Sequence, residues 1–496
     1  MHASSMMTKG CTYIKSKKNL MVSNMNCNSC PEKNALPYDA ANATSIFEYS
    51  KGLLGKTLRE FADKGYERRK GKGGIGQMVE NLYFLLETNN NPEADFSQAG
   101  MELKCTPLKL GKNKDYLVKE RLVCNMINYC DVVNEDFEHS HFYLKCQLML
   151  LLFYLYRKGY DNLDLEFVFS VLWKLPEKDL LIIRHDYELI VDKIKRGEAH
   201  LLSEGDTMYL GACRKGQKGD SLMAQPNSEV NAPRRAFSLK MAYMRTVLQY
   251  VVNVGEKAVA NFGLSENPLL TSQDLSKNSF DEIVLKRFKP YMGKNYEAIA
   301  KDKKVDISNN PKNKFAMIAN AVVASGKCSN VNRSEEFLKA GLMMKTVRVQ
   351  ADGIIKEAMS FENIDYMEVA ECGNWYESRL YELYSSRFLF VVFRERHKGK
   401  GDYELDDAFF WTMPQSDLEC AEVYWEHIKK NILESHISED YWWKACDRKK
   451  FHVRPKAQKA KDIAPTPDGK GAKKFCYWFN NDYVREIVEQ RQDEKR

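Results

Sequence analysis

Between Gly73 and Glu87 the chain reads GGIGQMVENLYFLLE, and Ile75, Met78, Val79, Leu82 and Leu86 fall on one helical stripe. Glu80 lies off that stripe, about 140° from Ile75 at roughly 100° per residue, and is free to face a site. After the polar turn NNNPEAD comes GMELKCTPLKL, whose alternation predicts a strand. Period two sets Met101, Leu103 and Cys105 on one face and Glu102, Lys104 and Thr106 on the other. The run LMLLLFYLY, from Leu148 to Tyr156, predicts a buried strand or helix and is too short to cross a bilayer core of roughly 30 Å.

The same patterns return later in the chain. DFSQAGMELK, from Asp95, reappears as EFLKAGLMMK, from Glu336. LGKTLREFA at Leu54 is answered by MGKNYEAIA at Met292, and LVCNMINY at Leu122 by MSFENIDY at Met359. WKLPEKDL at Trp173 returns as WTMPQSDL at Trp411, CRKGQKG at Cys213 as RPKAQKA at Arg454, and AYMRTVLQ at Ala242 as DYVREIVE at Asp482. Six matches in one order at nearly constant spacing indicate a tandem duplication. The period is too long for a solenoid, so each copy is expected to be a complete domain. The expected division is an N-terminal extension over 1–41, a first domain over 42–261, a polar linker over 262–278 and a second domain over 279–496.

A chain of 496 residues exceeds the usual size of one core, and 44% apolar with 29% charged residues is globular composition. The net charge of +7 is modest, but basic residues bunch at Lys64–Gly74, Cys213–Gly219, Pro233–Lys240, Arg448–Lys461 and Lys470–Lys474. Such clusters neutralise a polyphosphate backbone, or else form solvated loops. Thirteen cysteines without a framework suit a reducing cytosol, and the single Cys27/Cys30 pair has no second pair at zinc-finger spacing. With no signal peptide and no spanning segment, the expectation is a soluble protein without a membrane partner.

Asp95 followed by Glu102-x-Lys104 suits metal-dependent phosphodiester hydrolysis. Two carboxylates can hold a hard divalent cation, and the ammonium can orient water or stabilise growing negative charge. A salt-bridged solvent face would carry the same letters. GKGGIG at Gly71 matches GxGxxG, but no apolar strand precedes it, so a dinucleotide site is rejected.

KGGIGQMVENLYF, ADFSQAGMELKCTPL, EDFEHSHFYLK, LGACRKGQKG and APRRAFSLK together resemble the MutH mismatch-repair nicking endonuclease and the related type II restriction enzymes that cut at GATC. The resemblance implies an α/β fold: two tandem restriction-endonuclease-like (MutH-like) domains, each a mixed central sheet flanked by helices. It implies Mg2+ as cofactor and double-stranded DNA as partner. By resemblance, Glu80, Asp95, Glu102, Lys104 and Lys145 are the catalytic set, with Asp95, Glu102 and Glu80 at the metal. Lys72 is similar to a DNA-contacting lysine, and Arg214, Lys215, Arg234, Arg235 and Lys240 lie in the base-reading region. There Cys213 and Arg214 replace the Arg-Pro of the family's Arg-Pro-Lys, and Ser238 replaces a tyrosine.

In the second copy, Asn320 answers Glu80, Glu336 answers Asp95, Met343 answers Glu102 and Lys345 answers Lys104, while Lys145 falls near Glu382. A thioether is a poor magnesium ligand, so this copy is expected not to cut. It keeps Arg454 and Lys456, with Lys473 and Lys474 answering Arg234 and Arg235, for binding DNA. The leading expectation is a type II restriction endonuclease of the bacterial cytoplasm, with the second domain as an allosteric effector and self-association on DNA to sever both strands. The alternatives are a mismatch-repair nicking enzyme and a non-catalytic DNA-binding repeat protein.

Overall fold

The alternating stretch at Glu102 and the apolar run at Leu148 form neighbouring strands in the computed structural model. It describes residues 36–62, 74–86, 93–111, 114–216, 222–254, 268–324, 326, 328, 330–456 and 462–495. The first copy contributes β1 (Glu102–Leu110), β2 (Tyr116–Val118), β3 (Leu122–Met126), β4 (Leu148–Leu155) and β5 (Phe167–Lys174). It continues with β6 (Leu210–Arg214), β7 (Leu222–Gln225), β8 (Ser228–Pro233) and β9 (Arg235–Leu239). One sheet has the order β2-β1-β4-β5 and another β3-β9-β6, with β7 and β8 as a separate hairpin. β1 and β4 are parallel, Glu102 opposite Met149, while β2 and β5 run antiparallel to their neighbours. Flanked on both edges and covered on both faces, β4 is almost wholly buried, hence its unbroken apolar sequence.

The second copy repeats this plan with β10 (Met343–Val349), β11 (Met359–Asn363), β12 (Arg387–Glu395), β13 (Tyr403–Thr412) and β14 (Phe451–Pro455). β15 (Ile463–Ala464), β16 (Ala472–Lys473) and β17 (Phe475–Phe479) complete it. Its sheets are β10-β12-β13 and β11-β17-β14. β10 and β12 are parallel with Met343 opposite Phe388, so Met343 occupies the sheet position of Glu102. The expected pair of α/β domains with mixed sheets is thus what the chain forms.

Two of the duplicated phrases are halves of one structural tie. Pro176 and Pro414 precede the helices Glu177–Lys195 and Gln415–Leu433, where no backbone donor is needed. In the first turn of each, Asp179 and Asp417 accept the hydroxyls of Tyr243 at 2.9 Å and Tyr483 at 2.6 Å. These tyrosines stand in the AYMR and DYVR phrases, on the helices Met241–Val254 and Asn481–Glu494.

One hydrophobic core packs Ile75, Met78, Phe96, Met101 and Leu103 under β4 and β5. A second lies within the later copy, and a third joins the copies, bringing Tyr243, Val247 and Val251 together with Phe337, Ala340 and Leu389. Residues Tyr38–Arg496 accordingly form one compact unit. The helix expected from Gly73 is shorter than its stripe, Ile75–Leu82, because Leu85 turns into the left-handed region at φ 57°. The stretch expected to be a polar linker carries Leu269 and Leu270, both buried. Lys72, Cys27 and Cys30 lie outside the described residues, as does most of the N-terminal extension. Among the described residues no helix is long and apolar enough to cross a membrane.

Candidate active site

Glu102 opens β1 and is only 2% exposed. Its carboxylate accepts hydrogen bonds from Lys104 Nζ at 2.7 Å and from Lys145 Nζ at 3.3 and 3.4 Å. Residues two apart on a strand share a face, which puts Lys104 beside Glu102. Lys145 comes from the helix His141–Cys146, whose start is fixed by the Ser140 hydroxyl accepting the Tyr143 amide at 3.1 Å. Asp95 accepts the Leu103 amide at 2.9 Å and is thereby anchored to the same strand.

Glu80 faces this group from its helix. Burial, then the charges of Asp95 and Glu102, push its carboxyl up to about 7, and Lys104 and Lys145 partly oppose them. Asp95 is also shifted up, by burial and Glu102, against the lowering effect of the Leu103 amide. Burial alone would pull the Lys104 ammonium down, but its Glu102 partner more than offsets this and the net shift is upward. The four groups predicted from Glu80 to Lys104, and Lys145 with them, therefore meet at one place. Two buried thiols, Cys124 and Cys146, complete the surroundings of Lys104. Neither stands in a spacing that distinguished it in the sequence from an ordinary core residue.

The second copy is built differently from its sequence alignment. The Met344 amide, equivalent to that of Leu103, is accepted by Asn332 Oδ1 at 2.7 Å. Asn332, and not Glu336, thus does the work of Asp95. Where the first copy has a single turn, Ser97–Ala99, the second has the helix Glu335–Ala340, and the longer segment carries the acid away. Glu336 is fully buried, accepting the amides of Leu269 and Leu270 at 3.0–3.1 Å and Lys178 Nζ at 2.7 Å.

Asn320 accepts the Val331 amide and donates to the Ala316 carbonyl, both at 2.7 Å. Ser378 caps the helix Arg379–Ser385 as Ser140 caps its own, which places Leu383 at the Lys145 position. Glu382 is instead bound by Arg245 and Arg379. Lys345 donates to the Ser360 carbonyl at 2.8 Å, and burial followed by the charge of Lys456 pushes its ammonium down to about 8.

Comparison with known proteins agrees with this doubled geometry. The family model described as DNA mismatch repair enzyme MutH matches residues 84–186 and again 326–422. The type II restriction enzyme Sau3AI of Staphylococcus aureus is 30% identical, over 90% of this chain and 98% of its own. The chain belongs to the MutH-like two-domain restriction endonucleases. The DNA mismatch repair protein MutH of Shewanella woodyi is 22% identical over 45% of this chain and 98% of its own, which is the length of one copy. That of Buchnera aphidicola is 22% identical over 34% of the chain and 78% of its own.

In this restriction endonuclease the donors of the first copy are carboxylate oxygens, which suit a hard divalent cation, and burial with neighbouring acids raises the proton affinity of Glu80 and Asp95. Among the described residues, however, no three acidic, histidine or cysteine side chains stand close enough to enclose an ion. Glu80, Asp95 and Glu102 are therefore not a finished three-ligand cage, since two lysines occupy Glu102. Magnesium is usually held by one or two carboxylates with water and substrate phosphate, a role open to Asp95 and Glu102.

The predicted DNA contacts divide by exposure. Arg235 and Lys240 are 8% exposed and face inward, correcting their assignment to DNA. Arg235 donates to the carbonyls of Ala212, at 2.7 Å, and Leu202; Lys240 donates to those of Glu204, at 2.6 Å, and Thr207. Arg214 and Lys215 are half-buried at the end of β6, and Arg234 is exposed beside them, its carbonyl accepting the Lys215 amide at 2.8 Å. Arg454 and Lys456 are exposed at the end of β14, with the Arg454 guanidinium over the Trp478 ring at 5.4 Å. Lys473 pairs with Glu439 at 2.9 Å and Lys474 with Asp462.

Proposed function

We propose that this restriction endonuclease cuts double-stranded DNA at GATC with Mg2+ in the bacterial cytoplasm. In this reading residues 42–261 cut, while residues 279–496 hold a further DNA site and act as its effector. The observation that carries the reading is the contrast between equivalent strand positions. Glu102, with two lysines on it and Asp95 and Glu80 nearby, is matched by Met343 beside two asparagines.

When bound, a divalent cation polarises the phosphate and lowers the pKa of water. Asp95 and Glu102 would hold it, the first fixed by the Leu103 amide and the second by Lys145. Lys104 is placed to orient the attacking water or to stabilise the negative charge that builds on the phosphate. Glu80, near neutrality, is placed to accept a proton at its carboxylate. One such site per chain severs one strand at a time, so two chains meet on the DNA or one acts twice.

A sequenced digest of unmethylated DNA with Mg2+ tests site, cut and strand number together. Ends at GATC on both strands are expected. Nicked circles would support the mismatch-repair reading, and intact plasmid bound by protein the non-catalytic one. For the effector, Arg454→Ala with Lys456→Ala is expected to weaken stimulation of cleavage by an added site-bearing oligonucleotide; unchanged stimulation would contradict that role.

A further inference from the structure

The first copy's site attracts cations, and its counterpart has been rebuilt with the opposite preference. A cavity of about 270 Å³ remains there, lined among others by Asn320, Asn332, Lys345, Arg348, Glu357 and Ser360. Each carboxylate of the original has gone: an amide stands for Glu80, an amide does the work of Asp95, and a thioether stands for Glu102. The amide of Asn332 brings two N–H donors where Asp95 has only acceptors, and one of them makes a long bond of 3.5 Å to the Met344 carbonyl.

Among the described residues no carboxylate pairs with the Lys345 ammonium, which donates to the neutral Ser360 carbonyl at 2.8 Å. Lys456, from the loop after β14, reaches the same segment, donating to the Phe361 carbonyl at 2.8 Å and approaching Ser360 Oγ at 3.4 Å. Two ammonium groups thus converge on Ser360–Phe361, close enough that the charge of Lys456 disfavours that of Lys345. Arg348 adds a third cation, and its partner Glu357 is the one acid among the six lining residues named. With Glu357 on Arg348 and nearby Glu362 on Arg379, Lys345 and Lys456 are left as an excess of positive charge at a half-buried pocket, which calls for an anion.

We propose that the cavity around Lys345, with Lys456 at its rim, binds a phosphate group directly, without a divalent cation. This rests on the reading that the second copy binds DNA, and it names the place where a strand's phosphodiester lies. Lys345 and Asn332 donate to the phosphate oxygens, and the anion relieves the repulsion between Lys345 and Lys456. Free phosphate offers the same chemistry as the DNA backbone.

Competitive amine labelling of the full chain in EDTA, read residue by residue by mass spectrometry, tests this. The probes are a GATC-bearing duplex and inorganic phosphate. Duplex is expected to slow labelling of Lys345 at least about fivefold without metal, because a phosphate-bound ammonium holds its proton more tightly. Slowing by inorganic phosphate as well makes the free anion a ligand; slowing by duplex alone assigns the backbone. Protection of Lys456 without Lys345 would overturn the pocket and leave DNA binding by this copy intact. Protection of neither would remove both, and protection of Lys345 only with Mg2+ would overturn the metal-free claim. To separate contact from simple covering, Lys345→Gln should reduce the salt dependence of duplex binding in EDTA by about one phosphate contact; an unchanged slope would contradict the proposal.

Discussion

Lys104 and Lys345 are the same residue at the same strand position, yet their ammonium groups are shifted in opposite directions. A carboxylate on the first and a second lysine near the other account for the difference. Lys104→Met is therefore expected to lower the cleavage rate about 10²- to 10³-fold with little change in duplex affinity, as measured by single-turnover cleavage and equilibrium binding. A second test concerns His452, fully buried on β14, whose imidazole is pushed down to about 4 by burial and by Arg454. The unfolded chain takes up a proton near 6.5 and the folded chain only near 4. Stability contributed by the neutral ring is thus lost as pH falls through that window, by up to about 3 kcal/mol. His452→Phe should flatten this loss in urea titrations at pH 7 and 4.5; parallel losses in both proteins would contradict it. The placing of Glu80, Glu102 and Lys104 was legible because helix and strand periods are local, and Asp95 was legible only as an acid just upstream of that strand. The inward turn of Arg235 and Lys240 was not, since burial is decided by distant segments and their letters match those of a surface cluster.

At the level of elements, the helix Glu335–Ala340 separates the copies where the first has only the turn Ser97–Ala99. It displaces Glu336 from the site position and offers Lys339, 2% exposed, to both oxygens of buried Asp179 at 2.7 Å. Removing one partner leaves a charge unpaired inside the protein. Lys339→Met should cost about 3–5 kcal/mol in equilibrium unfolding, and adding Asp179→Leu should recover much of it. A single variant within about 0.5 kcal/mol of wild type would show that the pair does not hold the copies. The repeated Pro and Asp were legible because each copy needs the same tie from helix start to tyrosine. The exchange of Asn332 for Glu336 was hidden, because matching letters follow ancestry while the amide of Met344 is met by whichever side chain the longer segment brings near.

For the whole molecule, the duplication was readable from spacing alone, but the shared core was not. Tyr243, Val247 and Val251 of one copy pack with Phe337 and Leu389 of the other, and buried Leu269 and Leu270 join them. Calorimetric unfolding of Tyr38–Arg496 is therefore expected to be one transition, with calorimetric and van't Hoff enthalpies equal; two resolved transitions would show independent copies. The same continuity would give the proposed effector role a physical route between the copies. The central claim, that one copy cuts and its twin only grips, is tested most directly by Glu102→Gln in the full chain with Mg2+ and a duplex carrying GATC. The account predicts retained binding with cleavage reduced at least about 10³-fold, and cleavage at near the wild-type rate would contradict it.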